Sequence, residues 1–432
     1  MIFSNLNKVK ILSFLSCAII PLLVTGPFLP DLFLSLLSLW FLYYIFKNKL
    51  FYIFKNKFFY LFLAFCLFCI FSSLMSDNIR LSLESSLFYF RIGIFCLLVS
   101  YLIEKDKNVL NHFYYTLIFT FSILVLYAFI QYFFNLHVHP ARISSFFGDE
   151  LILGSYLSRL LPLVIALFII RPNKNDLEKY LFLIFVIFTY ICIILSGERS
   201  AFFYVNMSLL FILIFVRINL KFLVSLVVIF VTTFTIFFFT LDSNQTGKRL
   251  LARYTKSVAD TMNLNYYFNK DKNKENKAKN TIAGRDGVII FSNIHETLYR
   301  TAFNMFLDRP IIGHGPKMFR VKCNDPKYSV IIGYSETGSC MTHPHNFYIQ
   351  LLAETGIIGF SFLFFLFIYI TFFSTKFLYY NFFKKNKIYL NYNICLLACL
   401  LITVWPIVPN GNFFNNYLMI IYSLPLGFFK KN

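Results

Sequence analysis

The constraint that decides what this chain can fold into is a stretch of roughly 16–22 apolar residues, repeated from end to end, long enough to cross a hydrocarbon core of about 30 Å as a helix. Spans are expected near 11–29, 31–46, 58–75, 87–103, 113–134, 151–170, 180–195, 200–216, 220–241, 347–373, 388–405 and 413–428. Composition points the same way. Of the 432 residues 58% are hydrophobic and 14% charged, against about 45–50% and about 25% in soluble domains. With 59 Phe and 28 Tyr, the chain has more apolar surface than an ordinary core can hide. That excludes a soluble enzyme, a disordered scaffold, a coiled coil and a secreted disulfide mini-protein. The expectation is an all-α polytopic membrane bundle of about twelve transmembrane helices. Lys8 and Lys10 precede the first span, but no Ala-x-Ala-like cleavage site follows it. It is read as a retained helix, not a removed signal peptide.

The net charge of +20, from 40 basic and 20 acidic residues, is the second constraint. Cytoplasmic loops are enriched in Lys and Arg. With both termini cytoplasmic, Lys47, Lys49, Lys55, Lys57, Lys105, Lys107, Arg171, Lys174, Lys179, Arg217, Lys221, Lys376, Lys384, Lys385 and Lys387 all fall on inside turns. The short outside loops and the helices then hold only Arg80, Arg91, Arg142, Arg159 and Arg199. Much of the charge is therefore orientation signal. The chain divides into spans one to nine (1–241), a large outside segment (242–346) and spans ten to twelve (347–432). Within the outside segment, about 265–282 is a Lys/Asn-rich run that reads as a flexible linker. Over 286–309, by contrast, Val288, Ile289, Phe291, Ile294, Leu298, Ala302, Phe303, Phe306 and Leu307 recur at helical spacing. That pattern predicts an amphipathic helix on the membrane face or packed on the bundle, ended by Pro310 and followed by a turn at Gly313 and Gly315.

Seven of the nine cysteines (Cys17, Cys66, Cys69, Cys96, Cys192, Cys395 and Cys399) sit inside spans as small apolar residues. Cys323 and Cys340 share the outside segment, where an oxidising compartment would let them close a disulfide worth roughly 3 kcal/mol. Of the seven histidines, all but His112 fall outside: His137, His139, His295, His314, His343 and His345. Two His-x-His pairs are a zinc-like pattern, yet polar interfacial loops account for them more simply. No metal and no cofactor are expected.

The strongest local signal is Thr342-His-Pro-His-Asn-Phe-Tyr-Ile-Gln-Leu-Leu-Ala-Glu354-Thr-Gly-Ile-Ile-Gly359, which runs into the tenth span. Pro344 fits a first helical turn, with Thr342 or His343 as the cap. His345 would then stand in the first turn, where the positive end of the macrodipole keeps its ring neutral, as a general base requires. Gly356 and Gly359 lie on one helix face and would admit a neighbouring helix closely. A capped helix start with an interfacial histidine and a glycine notch is the plainer account of the same residues. A second signal is Ser196-Gly-Glu-Arg199, a short outside loop whose arginine is either paired with Glu198 or Glu150 or free to clamp phosphate as a bidentate fork. Arg142 and Arg285 are two further outside arginines close to glycines, whereas Arg91 and Arg159 look buried near helix ends.

These residues carry a resemblance. His345-Asn346, nine residues, then Gly356-Ile-Ile-Gly359, together with the Ser-Gly-x-Arg loop at 196–199, resemble the O-antigen ligase / O-antigen polymerase superfamily of bacterial envelope glycosyltransferases. So does the loop helix that starts at Gly284-Arg285 and ends in Asp308-Arg-Pro-Ile-Ile-Gly-His-Gly-Pro316, within a ligase-like region of about 140–375. The family's Arg-x-x-x-Leu pattern reads Arg285-Asp-Gly-Val-Ile289 here. The resemblance implies a type C glycosyltransferase-like bundle with a large, partly helical periplasmic loop between the ninth and tenth helices. It also implies a multi-pass protein of the bacterial inner membrane. The implied reaction moves an undecaprenyl-diphosphate-linked glycan to an acceptor hydroxyl, on the lipid A core for a ligase or on another lipid-linked unit for a polymerase. His345 would be the base, and Arg199, Arg285 and Arg142 would bind the diphosphate. Asn346, Gly356, Gly359, His343 and Glu354 would support them. A flippase or secondary transporter is the reading from another class, but the polar groups gather at the outer face and the expected repeats are missing.

Overall fold

The computed structural model describes residues 2–106, 108–136, 139, 142–216, 293–330, 340–383 and 387–429, with isolated positions between 228 and 252. Most of the expected ninth span, the Lys/Asn linker, Arg285 and His137 lie outside the described residues. The described residues fall predominantly into helices. These are α1 (Ile2–Leu22), α2 (Phe28–Lys47), α3 (Lys57–Leu74), α4 (Ile79–Ser86), α5 (Phe90–Lys105), α6 (Asn108–Phe134), α7 (Leu153–Ile170), α8 (Asp176–Leu195), α9 (Arg199–Phe215), α10 (Asn293–Asp308), α11 (Phe319–Lys322), α12 (Phe347–Phe383), α13 (Lys387–Thr403) and α14 (Asn416–Ser423), the last continued by a 3-10 turn Leu424–Phe428. Among the described residues seven helical stretches are long and apolar enough to cross a membrane: α2, α3, α4–α5 taken together, α6, α7, α8 and α12. Shorter apolar helices in α1, α9, α13 and α14 stand among them. The chain is a polytopic helical membrane protein.

The helices form because their backbone groups have no water to bond inside a bilayer and must pair within the segment. Their ends are set by side chains that replace the missing turn. Asn56 accepts from the Phe58 N–H at 2.9 Å to start α3, and Asn175 with Glu178 makes a capping box for α8. The most buried helix is α7, which packs on α6, α8, α9 and α13. Lipid-facing positions such as Phe14, Leu39, Leu126 and Phe365 stay exposed, as expected where hydrocarbon is the solvent. A second, smaller core joins Leu298, Ala302 and Met305 of α10, Phe319, Cys323 and Tyr328, and Ala353 of α12. It docks the described part of the outside segment onto the bundle. Arg309 reinforces the dock by donating to the Asp77 carboxylate at 3.0 Å, and Lys322 pairs with the same carboxylate.

Two sequence expectations are corrected here. First, α12 starts at Phe347 rather than around Pro344, and its cap is Asn346, whose Oδ1 accepts from the N–H groups of Tyr348 and Ile349 at 2.9 and 3.2 Å. Asn is a stronger cap than His, so the helix begins later and His345 precedes it, in the left-handed region at φ 59°. Second, Gly356 and Gly359 are not paired residues of one helix-packing notch. Gly356 has φ 63° and ψ −165° and interrupts α12. The turn after α10 fills the break: the Ile357 N–H donates to the Pro310 carbonyl at 2.8 Å, and the N–H groups of His314 and Gly315 donate to the Ala353 and Glu354 carbonyls at 3.1 and 2.7 Å. Gly313, at φ 69°, abuts the Glu354–Thr355 backbone so closely that a Cβ would collide with it.

Candidate functional site

The loops between α8 and α9, between α13 and α14, and before α12 meet at one end of the bundle. Ser196 caps the C-terminus of α8, Gly197 turns the chain at φ 66°, and Glu198 precedes α9. The buried Glu198 carboxylate accepts from the Gly154 N–H at 2.7 Å and from the Ser155 N–H and hydroxyl at 3.2 and 2.7 Å, so it caps α7 from another element. A negative group at a helix N-terminus is favourable. Burial pushes its carboxyl above the usual range, and the hydrogen bonds with the nearby Arg142 oppose that. Arg142 itself donates to the carbonyls of Leu151 at 2.8 Å and Ser196 at 3.3 Å, and stands 4.0 Å from Glu198. It braces the loop that launches Arg199.

Arg199, exposed at the first position of α9, acts electrostatically on His295. His295 in turn lies across from His345, ring centres 5.8 Å apart and nearly perpendicular, and His343 lies 4.1 Å from His345. Three histidines and an arginine from three separate elements thus converge. All three rings are held below the ordinary imidazole pKa: His295 at about 4 by burial, His345 and Arg199, and His343 at about 3 by burial and His345. His345 is lowered by burial, opposed by a hydrogen bond with the Asn410 backbone. Neutral imidazoles at pH 7 can take a proton, whereas imidazolium ions cannot. Among the described residues no group of three or more His, Cys, Asp or Glu is arranged to hold a metal ion.

The supporting residues fall behind this face. Asn346, besides capping α12, donates from Nδ2 to the Pro406 carbonyl at 2.7 Å. His343 is fixed by the Thr342 hydroxyl, 3.0 Å from its Nδ1. Fully buried Glu354 accepts from the Phe319 N–H at 3.0 Å and from Gln350 at 2.9 Å, holding α11 in the small core. Cys323 and Cys340 form a disulfide with Cα atoms 4.9 Å apart, which anchors the chain three residues before His343.

Residues 181–364, which contain Arg199, His295, His343 and His345, match the family model for O-antigen ligase. That match supports membership of the O-antigen ligase superfamily. No curated protein is similar enough to match the chain. The O-antigen ligase family implies a glycosyltransferase-like ligase or polymerase activity, with glycan and lipid substrates. His295 was missed as a site residue in the sequence, although a signal was there: it shares the apolar stripe of α10 with Leu298, Ala302 and Met305, where a polar ring calls for a reason. Tyr299, one turn on, lies tilted against it with ring centres 6.1 Å apart.

Proposed function

We propose that this protein is an O-antigen ligase. It would transfer a glycan from undecaprenyl diphosphate to a hydroxyl of the lipid A core at the periplasmic face of the inner membrane, with both termini cytoplasmic. The observation that carries the reading is His345, neutral and flanked by His295 and His343 with Arg199 close by, in a chain that matches the O-antigen ligase family. His345 takes the proton of the acceptor hydroxyl. That oxygen bonds to the anomeric carbon as the bond from this carbon to the diphosphate oxygen breaks. The departing lipid diphosphate carries away the negative charge beside Arg199, and Arg285 is the second guanidinium expected there. Nucleotide sugars are not available outside the cytoplasm, so the donor must bring its own leaving group. Guanidinium groups can steady that group without a divalent metal. The proposed division of labour is a bundle (1–241 and 347–432) that holds the lipid and a loop (242–346) that completes the site.

Deleting the protein and separating lipopolysaccharide and lipid-linked intermediates on gels tests this. Long polymer stranded on undecaprenyl diphosphate is the expected result. Core bearing one repeat unit would make it a polymerase, and unchanged glycolipids would sink both readings. At the residue level, His345→Ala is expected to lower transfer about 100-fold or more at unchanged protein level, and Arg199→Ala and His295→Ala to weaken it. Full activity in His345→Ala removes the assigned base.

A further inference from the structure

The connection between α13 and α14, residues 404–415, is held by polar contacts along its length. The Tyr204 hydroxyl donates to the Pro409 carbonyl at 3.2 Å, the Asn410 N–H to the His345 carbonyl at 2.9 Å, and Gln350 Nε2 to Asn412 Oδ1 at 2.7 Å. Gln350 Oε1 accepts from the Phe413 N–H at 2.9 Å. Beneath the connection Arg159, 2% exposed, lies 4.3 Å from the ring centres of both Tyr204 and Tyr422. One aromatic support of the loop is therefore itself clamped by a buried cation.

One group breaks the pattern. The Asn410 side chain is 7% exposed, yet neither its Oδ1 nor its Nδ2 has a hydrogen-bond partner. His343 Nε2 is likewise buried without one. The Asn410 backbone faces both the His343 and the His345 rings and opposes the lowering that burial imposes on them, so these groups form one cluster. Leaving a buried amide unsatisfied costs stability, and the same connection satisfies Asn412 and, through Pro406, Asn346. The chemistry of the absent partner is constrained from both ends. Oδ1 needs a donor and Nδ2 an acceptor. A phosphate oxygen meets only the second need and a cation only the first. Water or two neighbouring sugar hydroxyls, each both donor and acceptor, meet both, and on the transfer reading above the sugar takes the place of water.

We propose that Asn410, together with His343 Nε2, forms a subsite for sugar hydroxyls beside His345. It rests on the glycosyl-transfer reading above and adds to it the residue that grips the sugar while His345 takes the proton. Two sugars carry this chemistry, the first sugar of the donor glycan and the terminal sugar of the acceptor.

The test compares full-length wild type with Asn410→Leu, which keeps the branching at Cγ and removes both polar atoms, in proteoliposomes supplied with lipid-linked glycan and acceptor. The expected result is an unfolding temperature equal to or above wild type, because an unpaired amide has gone, with a KM for one sugar substrate raised about tenfold or more. A raised acceptor KM at saturating donor assigns the subsite to the acceptor, and a raised donor KM at saturating acceptor assigns it to the donor. Both KM values unchanged, or a loss of activity that merely follows a fallen unfolding temperature, overturns the proposal. If the leucine variant does not fold, Asn410→Asp, of the same shape but without the donor, decides: a raised KM supports the subsite and wild-type KM values reject it. Inactive wild type defeats the transfer reading itself, whereas active wild type with unchanged variants defeats only the subsite.

Discussion

Replacing Gly356 with alanine separates the structure's account of the two glycines from the one their spacing suggests. At φ 63° and ψ −165° the residue occupies a region essentially reserved for glycine, and forcing a side chain there costs about 1–3 kcal/mol. The added Cβ would also strike the Ile311 carbonyl and come within 2.7 Å of the Ile312 nitrogen. Relief requires the turn after α10 to retreat. That breaks the 2.8 Å bond from Ile357 to Pro310 and strains the bonds that His314 and Gly315 make to Ala353 and Glu354. Each is worth about 0.5–1.5 kcal/mol, so Gly356→Ala should lose about 3–6 kcal/mol in all. A Cβ at Gly359 would collide with the Oγ1 and Cβ of Thr355 on its own helix, so Thr355 must shift. Gly359→Ala gains up to about 1 kcal/mol of helix propensity against that collision, but it leaves the turn after α10 in place, so it should lose less than Gly356→Ala. Thermal unfolding of the two detergent-solubilised variants beside wild type reads the difference directly. Equal damage from both, or a Gly356→Ala protein within about 1 kcal/mol of wild type, would refute the backbone junction and restore the simple notch.

Acid should both weaken and silence the protein. His295, His314 and His343 are lowered by burial to about 4, about 4 and about 3 from 6.5. The unfolded chain therefore binds protons first as pH falls. Stability from these groups is intact above pH 6.5 and declines between about 6.5 and about 3, and an unfolding temperature that rises on acidification over this window would contradict it. Transfer needs neutral His345, also lowered by burial, so the rate should stay level above pH 6.5 and fall only on the acid side. Removing the Cys323–Cys340 disulfide with paired serines should cost roughly 3 kcal/mol and reduce transfer by loosening the chain before His343. Non-reduced protein should leave both cysteines unalkylated by mass spectrometry, and free alkylation of both would dismiss the bridge.

Membrane helices and their rough limits were readable because a span must be apolar over a fixed length whatever surrounds it, and eleven of the expected runs correspond to described helices. The amphipathic stripe of α10, its end before Pro310 and the turn at Gly313 and Gly315 were equally local, and local pattern was enough. His345 and Arg199 stood out because polar groups at the rim of a bundle are scarce. Tertiary structure alone decided what these residues meet. Nothing near Gly356 in the sequence says that the turn from 310 to 313 lies against it, and nothing near His345 says that Asn410 bonds to its carbonyl or that His295 faces its ring. Periodicity reports which face of one helix avoids water. Which distant backbone that face touches depends on how separate helices pack, and at this end of the bundle packing drew a third histidine and an unpaired amide to a site of which the chain displays only part.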